Sequence, residues 1–509
     1  MQRLLQRKGK ADIMSASDLT DWHAAAAAID CPTRAFVDGA ERAPRHNATF
    51  IADNPATGEA LATVDEWTAE DVDDAVEIAA ARFHSGVWAD LDPSERKTVM
   101  LRFAAGIRAN AEQLALLETL ETGKPISQTI AVDVPACAST IQWYGEALDK
   151  LYDEMAPAGN DAVISIRREP IGTVAAIVPW NYPLIIAGWK IGPALAAGNS
   201  VILKPAEEST LASLLLGRIA HEAGVPAGAF QVLPGRGHIT GDALAGHDRV
   251  DAIAFTGSTE IGKRLLVRSG ESNMKKVGLE CGGKSAQIVT RECEDLDAAA
   301  EAIAWSIWYN QGETCHAGSR LIVDRHVADD LLDRVAAMMP QFEPGHPLEE
   351  STVMGAMIST GHLERVQAYL NGVRRDGGRV IGGEPVDRPE GGAFMRPAIL
   401  RDIHNDLDAA REEIFGPVLA VIECDGLEEG IRIANDSDYG LAASVWTDRL
   451  ADAHRAARQL RAGTVWVNCY DMATVATPFG GYKQSGIGRD RSLHAFDKYT
   501  EIKTTWIAV

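Results

Sequence analysis

The stretch TVAAIVPWNYPLIIAGWKIGPALAAGNSVILKP, residues 173–205, begins and ends with short apolar runs, TVAAIVP and SVILKP. Two similar runs follow, AFQVLPG at 229–235 and VDAIAFTG at 250–257. Apolar strands that alternate with helices are typical of a parallel sheet buried on both faces. The pattern therefore predicts a doubly wound α/β domain, and sheets of this kind bind ligands at the carboxyl ends of their strands.

A helix is predicted between the second and third of these strands, from about Ser209 to Ala223. Ser209 or Thr210 suits its N-cap, and Gly224 ends it. The other predicted helices are amphipathic or apolar segments at 71–83, 96–121 and 296–310.

A second alternating region begins near Lys284 with the strand SAQIVT and continues through the runs RLIVD, VLAVIE, LAASVWT and GTVWVN. It predicts a second α/β domain. Two strand-like pieces, 162–169 and 501–509, belong to neither sheet. Because unpaired strands often join across a subunit interface, we expect them to exchange between subunits of a homo-oligomer, a dimer or tetramer.

The overall charge argues against two classes of partner. Lys plus Arg total 49 against 72 Asp plus Glu, which gives a net charge of -23. This field repels phosphate backbones, so nucleic acid and anionic membrane are disfavoured as partners. The seven cysteines are scattered without a CxxC pair, so we expect no metal site and a reducing, cytoplasmic location.

The segment YNQGETCHAGSR, residues 309–320, places Cys315 among small and polar residues. Most structural cysteines are instead small hydrophobes with apolar neighbours. The loop suits a reactive thiolate, although the local pattern alone also fits an inert cysteine.

Polar residues also follow two of the predicted strands. In PWNYP (179–183) the Asn181 amide could donate to a developing oxyanion, or it is simply a turn asparagine. In VGLECGGKS (277–285) the apolar setting of Glu280 would raise its pKa and suit a general base, or Glu280 is a solvated loop residue.

Two segments suggest nucleotide contacts. Lys204 and Glu207 follow a strand end in KPAEES, where a ribose could bind. Gly257 and Ser258 open a helix in FTGSTEIGK, and its N-terminal N–H groups could bind a pyrophosphate.

The blocks PWN, KPAE, FTGST, ECGGK, QGETC, EEIFGPV and PFGGYKQSG, in this order, resemble the aldehyde dehydrogenase superfamily from about residue 30 onward. The resemblance implies a Rossmann-type coenzyme domain, a second α/β catalytic domain and a small β oligomerisation element. The implied segments are an N-terminal extension (1–30), an NAD-binding domain (31–151 and 171–282), a catalytic domain (283–484) and oligomerisation segments (152–170 and 485–509).

The same resemblance implies the catalytic roles. Cys315 is the nucleophile, the Asn181 amide and the Cys315 N–H form an oxyanion hole, and Glu280 is the base. Lys190 matches a lysine associated with proton transfer. The thiolate attacks an aldehyde, hydride leaves the thiohemiacetal for the nicotinamide, and water hydrolyses the thioester. The presence of Glu280 favours hydrolysis over transfer to coenzyme A.

The implied coenzyme is NAD, because the carboxylate of Glu207 would repel the 2′-phosphate of NADP. No metal is implied. The residues expected to contact the coenzyme are Trp180, Lys204, Glu207, Gly257, Ser258, Glu413 and Phe415.

The runs SNMKKVGLECGGKSAQIV and GRDRSLHAFDKYTEIKTTWI are similar to the γ-glutamyl-γ-aminobutyraldehyde dehydrogenase branch of putrescine degradation. This implies an ω-amino or γ-glutamylamino aldehyde. Glu313 and Asp471 could place negative charge at the mouth of the site, or both are solvated rim residues. The expected substrate contacts are Tyr182, Trp189, Tyr309, Thr314, His316, Asp471 and Phe479, with Trp308 also in an aromatic tunnel.

Two alternatives remain open. Ala473 replaces a larger residue of many relatives, which would admit bulky aliphatic or aromatic aldehydes such as indole-3-acetaldehyde. A non-enzymatic role, like that of crystallins recruited from the family, is disfavoured by the presence of Cys315, Glu280 and Asn181 together.

Overall fold

The computed structural model describes residues 20–509, so residues 1–19 of the predicted N-terminal extension lie outside the described part. The chain forms two compact units. The Cys315 unit contains residues 20–30 together with 124–127 and 283–474, and the Glu280 unit contains 31–123, 128–282 and 475–509. Residues 475–484, which the sequence assigned to the catalytic domain, pack in the Glu280 unit instead.

The strands are short, and about half of them are mostly buried. In chain order they are β1 (Ala35–Val37), β2 (Ala40–Arg42), β3 (Thr49–Asp53), β4 (Ala60–Asp65), β5 (Glu154–Ala156), β6 (Ala162–Pro170), β7 (Thr173–Ile177), β8 (Ser200–Lys204), β9 (Phe230–Val232), β10 (Ala252–Thr256), β11 (Lys276–Glu280), β12 (Ala286–Val289), β13 (Arg320–Asp324), β14 (Arg379–Gly382), β15 (Ala398–Arg401), β16 (Val418–Cys424), β17 (Tyr439–Gly440), β18 (Ala442–Trp446), β19 (Thr464–Val467), β20 (Tyr482–Lys483), β21 (Gly486–Ile487) and β22 (Thr500–Ala508).

The α-helices connect many of the strands. They are α1 (Trp22–Ala28), α2 (Ala69–His84), α3 (Pro93–Ala109), α4 (Ala111–Thr122), α5 (Ile126–Gln128), α6 (Val134–Ala147), α7 (Pro183–Ala197), α8 (Leu211–Glu222), α9 (Asp242–Gly246), α10 (Thr259–Glu271), α11 (Leu296–Trp308), α12 (Ala328–Met338), α13 (Thr360–Arg375), α14 (Asp408–Arg411), α15 (Gly426–Asn435) and α16 (Leu450–Gln459). No helix within residues 20–509 combines the length and apolarity needed to cross a membrane.

The Glu280 unit is built on an eight-stranded sheet with the order β2-β1-β9-β8-β7-β10-β11-β21. Strands β9, β8, β7, β10 and β11 are parallel neighbours, as the apolar runs predict. Pairing of Ile177 with Lys204 and of Thr256 with Glu280 brings the carboxyl ends of these strands to one edge. Lys204 and Glu280, two of the residues that the sequence singled out, end strands at this edge.

The Cys315 unit contains a seven-stranded sheet with the order β14-β15-β16-β13-β12-β18-β19. All its pairs are parallel except β14 with β15 at one edge. Strands β13 and β18 are fully buried, which explains their continuous apolar sequences. The loop that carries Cys315 connects α11 to β13.

The two leftover strand-like pieces pair with each other within the chain. Strand β22 lies antiparallel to β6 from Thr500↔Pro170 to Ala508↔Ala162, and β5 pairs with the other edge of β6. The expectation that these two strands lack a partner within the chain is therefore wrong. The sheet nevertheless leaves β22 at an edge, with nearly all of its residues exposed.

Two predicted helices differ in detail. The helix expected over 96–121 is interrupted at Asn110, whose Nδ2 donates to the carbonyl of Gly106 at 2.8 Å in competition with the helical ladder. Helix α8 begins after Thr210 as expected, but neither predicted side chain caps it. The buried carboxylate of Glu121 accepts from the N–H groups of Leu211 and Ala212 at 2.5 and 3.1 Å.

Candidate active site

The predicted site residues are divided between the two units. The Cys315 unit carries Tyr309, Thr314, Cys315, His316, Glu413, Phe415 and Asp471, whereas the Glu280 unit carries Trp180, Asn181, Tyr182, Trp189, Lys190, Lys204, Glu207, Gly257, Ser258, Glu280 and Phe479.

The loop before Cys315 is held in an unusual backbone conformation. Asn310 and Gln311 have φ of 51° and 57°, in the left-handed region that ordinary residues rarely adopt. Their side chains stabilise it, because Asn310 Nδ2 donates to the Glu313 carbonyl at 3.1 Å and Gln311 Oε1 accepts from Gly355 N–H at 3.0 Å. Strain of this kind is typical of functional sites.

The backbone of Cys315 packs against a glycine. A Cβ atom on Gly283 would lie 2.6 Å from the Cys315 carbonyl oxygen, so the glycine pair of the ECGGK block allows a close approach. The side chain of Cys315 remains half-buried. Its position in a polar loop therefore agrees with the interpretation of the sequence.

A histidine–aspartate pair adjoins the cysteine. Cys315 Sγ lies 3.7 Å from His316 Nδ1, and His316 Nε2 lies 2.9 Å from Asp471 Oδ1. Burial lowers the pKa of His316, but the charge and hydrogen bond of Asp471 outweigh it and raise the pKa to about 10. The sequence singled out His316 and Asp471 only as substrate contacts.

Glu313 does not lie at a rim. Its side chain is 1% exposed, and its carboxylate accepts from Ile358 N–H at 3.0 Å. Burial raises the pKa of Glu313 well above its usual value. Both alternatives weighed from sequence, a charged mouth and a solvated rim, are therefore wrong for this residue.

Trp308 is also placed differently from the expectation. It is fully buried in the hydrophobic core, with its ring 5.4 Å from that of Phe342. It is a core residue rather than part of an aromatic tunnel. Tyr309 and Thr314 are buried, with 5% and 8% of their surface exposed.

Glu413 and Phe415 lie in a turn before β16. The Glu413 carboxylate accepts from the Gly283 N–H at 3.0 Å, and burial raises the pKa of Glu413 to about 7. Phe415 has a φ of 59°, and its carbonyl oxygen lies 2.6 Å from His362 Nε2.

Glu280 ends strand β11 and is 3% exposed. Neither carboxylate oxygen has a hydrogen-bond partner within residues 20–509. Burial, and after it the negative charge of Asp490, raises the pKa of Glu280 to about 8 against the opposing effect of Lys498 and Lys190. A buried carboxyl group with this pKa can lose and regain a proton near neutral pH, as a general base must.

A buried cluster of charges lies near Glu280. Lys190 Nζ donates to Asp490 Oδ2 at 2.5 Å, and Lys498 Nζ donates to the other oxygen of the same carboxylate. Burial lowers the pKa of Lys190. The sequence identified Lys190, but Asp490 and Lys498 were missed because nothing in the GRDRSLHAFDKY segment indicates which of its charges point inward.

The turn between β7 and α7 carries Trp180, Asn181 and Tyr182. Asn181 is 4% exposed, whereas its two neighbours are half-buried. Pro183 begins α7, a position at which proline costs no hydrogen bond.

Lys204 and Glu207 are brought together at the end of β8. Lys204 Nζ, itself buried, donates to Glu207 Oε2 at 3.3 Å. An ammonium donor beside a half-exposed carboxylate acceptor provides the complementary groups that a ribose diol requires. Farther along the same sheet edge, after β10, Ser258 caps α10 by accepting from Ile261 N–H at 3.3 Å. Gly257 precedes Ser258.

An arginine accompanies the predicted aromatic residues. The rings of Trp189 and Phe479 lie 5.1 Å apart, and the Arg491 guanidinium lies 5.0 and 4.9 Å from their centroids. Cation–π attraction stabilises this arrangement. Arg491 was not among the residues singled out from sequence.

Two mostly parallel sheets, one in each unit, define an α/β protein, and Cys315 and Glu280 are its candidate catalytic residues. The chain belongs to the aldehyde dehydrogenase family, whose model matches residues 43–505. This finding confirms the predicted family, fold class and enzyme class.

Individual relatives span nearly the whole chain. The NADP/NAD-dependent aldehyde dehydrogenase PuuC of Escherichia coli is 45% identical over 97% of this chain and 100% of its own length. A solved indole-3-acetaldehyde dehydrogenase in complex with NAD⁺ is 50% identical, with a TM-score of 0.95 over 96% of this chain and 99% of that one. The γ-glutamyl-γ-aminobutyraldehyde dehydrogenase of Burkholderia cenocepacia is also 50% identical, with a TM-score of 0.94 over the same shares.

Proposed function

We propose that this chain oxidises an ω-amino or γ-glutamylamino aldehyde to the carboxylic acid, with NAD as coenzyme. The observation that carries the substrate class is the full-length likeness to the γ-glutamyl-γ-aminobutyraldehyde dehydrogenase of Burkholderia cenocepacia. The likeness to the aminoacetaldehyde dehydrogenase of Pseudomonas aeruginosa, 44% identical over 96% of this chain, supports an aminoaldehyde.

The residues present fit NAD. Lys204 and Glu207 would hold a ribose, and Ser258 at the start of α10 would lie beside a phosphate. Trp180, Gly257, Glu413 and Phe415 are proposed as further contacts. When bound, NAD supplies the hydride acceptor. The negative charge of Glu207 disfavours a 2′-phosphate, so we propose NAD over NADP although the name of PuuC includes both.

Cys315 is proposed as the nucleophile. Its thiolate attacks the aldehyde carbon and forms a thiohemiacetal, and oxidation converts that adduct to a thioester. The Asn181 amide is proposed as a donor to the developing oxyanion, which is worth several kcal/mol in comparable sites. The half-exposed thiol in the loop is accessible to a substrate, in keeping with this role.

Glu280 is proposed to activate water for hydrolysis of the thioester. The carboxyl must be ionised to accept a proton, and its pKa near 8 makes this step faster at higher pH. Lys190, held by Asp490, is proposed to assist proton movement in the Glu280 unit.

The charge distribution bears on the choice among aminoaldehydes. Asp471 is the half-exposed carboxylate of the two that the sequence singled out, and it pairs with His316. A free cationic amine would compete with His316 for this carboxylate, whereas a γ-glutamyl derivative presents an amide at that position. We therefore propose that the γ-glutamyl derivative is the better substrate of the two.

A second candidate substrate is indole-3-acetaldehyde. The likeness to the solved indole-3-acetaldehyde dehydrogenase favours it, as does the small, exposed side chain of Ala473. We propose that Tyr182, Trp189, Tyr309, Thr314 and Phe479 contact whichever aldehyde is used.

The test is kcat/KM for NAD reduction with a matched aldehyde panel. It contains 4-aminobutyraldehyde, its γ-glutamyl derivative, 3-aminopropionaldehyde, hexanal and indole-3-acetaldehyde. We expect the γ-glutamyl derivative to exceed hexanal by at least about tenfold, or ~1.4 kcal/mol. A preference for hexanal or the indole compound would contradict the proposed substrate class.

We further propose a homo-oligomer in the cytoplasm. The three-stranded sheet exposes the large apolar side chains of Ile502, Trp506 and Ile507, which are more than half exposed. A surface of this kind is typical of a protein interface. Deleting 501–509 is expected to reduce the particle size in light scattering, and an unchanged size would contradict this interface. The few, scattered cysteines fit a reducing compartment.

A further inference from the structure

His316, the residue after Cys315, contacts both the proposed nucleophile and Asp471. His316 Nδ1 lies 3.7 Å from Cys315 Sγ, within the range of a hydrogen bond to sulfur, and its other ring nitrogen lies 2.9 Å from Asp471. The imidazole therefore bridges a thiol and a carboxylate. An activated nucleophile generally consists of a thiol or hydroxyl hydrogen-bonded to a base, with a third group that orients the base.

The loop that supplies Asp471 is fixed in place. Asp471 has a φ of 54°, a conformation that costs free energy unless surrounding contacts impose it. Trp466 Nε1 donates to the Met472 carbonyl at 3.0 Å, and the Tyr470 hydroxyl donates to the His316 carbonyl at 2.7 Å. These bonds hold the aspartate loop and the cysteine loop in one register.

We propose that His316 accepts the proton of the Cys315 thiol before coenzyme or aldehyde binds, and that Asp471 positions the imidazole for this transfer. The resting nucleophile is then a thiolate beside an imidazolium. The proposal rests on the proposed role of Cys315 as nucleophile, and it assigns His316 and Asp471 a function other than substrate recognition.

The proton and charge balance closes over the reaction cycle. The S–H proton moves from Cys315 to Nδ1, while the Nε2–H continues to donate to the Asp471 carboxylate. The thiolate sulfur then bonds to the aldehyde carbon, and hydrolysis of the thioester returns it as thiolate. The oxidant is the NAD of the proposed function, and the two protons of the hydrolytic water leave through Glu280 and the acid product. The imidazolium keeps its proton throughout.

The surroundings of His316 favour its charged form. The titratable groups that face the imidazole are Cys315 on its own loop and Asp471 on the opposing loop, while Tyr470 bonds to the main chain. Although burial opposes the charge, Asp471 raises the pKa of His316 to about 10. The side chain of His316 is 15% exposed and that of Asp471 is 38% exposed, so solvent screens this ion pair in part.

The experiment is the pH dependence of Cys315 alkylation by iodoacetamide in the full-length enzyme, without NAD or aldehyde. Labelling is followed on the Cys315 peptide by mass spectrometry, with the half-buried Cys31 as an internal standard. An ordinary thiol titrates near pH 8.5 and is only about 1% thiolate at pH 6.5. We expect the parent Cys315 to label at pH 6.5 within about threefold of its rate at pH 8.5.

The variants His316→Gln and Asp471→Asn distinguish an activating pair from a structural one. In His316→Gln the labelling rate should fall roughly 50-fold between pH 8.5 and 6.5, as for an ordinary thiol. Asp471→Asn should show a smaller loss, because the imidazole remains but loses its partner. His326→Gln removes a different histidine–aspartate pair of the same unit and should match the parent.

Labelling of Cys315 that falls 50-fold in the parent itself, or that is unchanged in both variants, would overturn the proposal. If His316→Gln does not fold, as judged by its melting curve, Asp471→Asn decides the question. The measurement needs no aldehyde, so its outcome is separate from the substrate assignment. Loss of turnover in Cys315→Ser tests the nucleophile independently.

Discussion

Cys315 and Glu280, the two residues proposed to do the chemistry, lie in contrasting surroundings. Cys315 is half-buried in a polar loop, and an imidazole paired with Asp471 adjoins its sulfur. Glu280 ends a buried strand, and both of its oxygens are without a hydrogen-bond partner in the described residues. One region stays accessible, whereas the other is almost fully removed from water.

The contrast follows from what each group must do. A nucleophile has to reach the aldehyde, so its pKa cannot be set by burial. A charged neighbour can stabilise the thiolate instead. A general base needs a pKa close to the working pH, and burial raises a carboxyl pKa directly. The five predictions below separate the two regions, from the largest expected effect to the smallest.

Cys315→Ser should lower dehydrogenase turnover by at least about 10³-fold, because a hydroxyl is a far weaker nucleophile than a thiolate at neutral pH. Binding of NAD, measured by tryptophan fluorescence, should persist. Cys469→Ser, which changes another half-buried cysteine of the same unit, is the matched control. Turnover of Cys315→Ser near the parent rate would exclude Cys315 as the acyl carrier.

Glu280→Gln should slow steady-state turnover by about 10²–10⁴-fold, the usual contribution of a general base. In the parent, the rate of thioester hydrolysis should rise with a midpoint near pH 8, because the pKa of Glu280 is raised to about 8. Stopped-flow kinetics across pH 6–10 measures both effects. Glu364→Gln, on the exposed face of α13, should behave as the parent.

The same variant should change stability in a defined direction. Between pH 4.5 and 8 the folded chain keeps a proton on Glu280 that the unfolded chain releases, since its pKa rises from 4.5 to about 8 on folding. The free energy of unfolding of the parent therefore falls as pH rises through this window. Above pH 8, Glu280→Gln should melt at a higher temperature than the parent, and an equal or lower Tm would contradict the burial argument.

Glu207→Gln tests the proposed coenzyme contact of Glu207, which lies at the same sheet edge as Glu280. Loss of the negative charge should raise kcat/KM for NADP relative to NAD by about tenfold, equivalent to ~1.4 kcal/mol. Initial rates at fixed aldehyde concentration measure the ratio. Glu208→Gln, which removes the adjacent carboxylate, is the control, and an equal effect in both variants would indicate a general rather than a ribose-specific effect.

Lys498→Met should shift the midpoint of the hydrolysis step upward by roughly half a pH unit, because Lys498 lowers the pKa of Glu280. At pH 7 this corresponds to about a threefold slower hydrolysis. Lys503→Met removes an exposed lysine of the neighbouring strand and should leave the midpoint unchanged. A midpoint that stays the same or falls in Lys498→Met would show that Lys498 does not lower the pKa of Glu280.

Sequence reasoning recovered the fold because the signal is local and repeated. The runs around Val174, Ile202 and Ile253 are apolar on both faces and alternate with helical segments, which is typical of a buried parallel sheet. The pairing of β22 with β6 was missed, because an isolated strand pattern does not specify its partner. The interruption at Asn110 was also missed, since it depends on one side-chain hydrogen bond to Gly106.

The site was predicted through its motifs, and the errors concern burial. Glu313 lies within the QGETC block and Trp308 lies three residues before it, yet both are buried in the interior. Asp490, Lys498 and Arg491 belong to a polar segment whose inward positions become clear only in three dimensions. The His316–Asp471 pair joins residues 155 positions apart, which no local pattern could connect.

The most direct test of the central claim is to trap the acyl-enzyme. Glu280→Gln is mixed with NAD and the γ-glutamyl aldehyde, quenched in acid within one turnover and analysed by peptide mass spectrometry. The account predicts one acyl group per chain, on Cys315 of the peptide spanning 309–320, formed together with one equivalent of NADH. NADH formation without an adduct, or an adduct on any other residue, would contradict it.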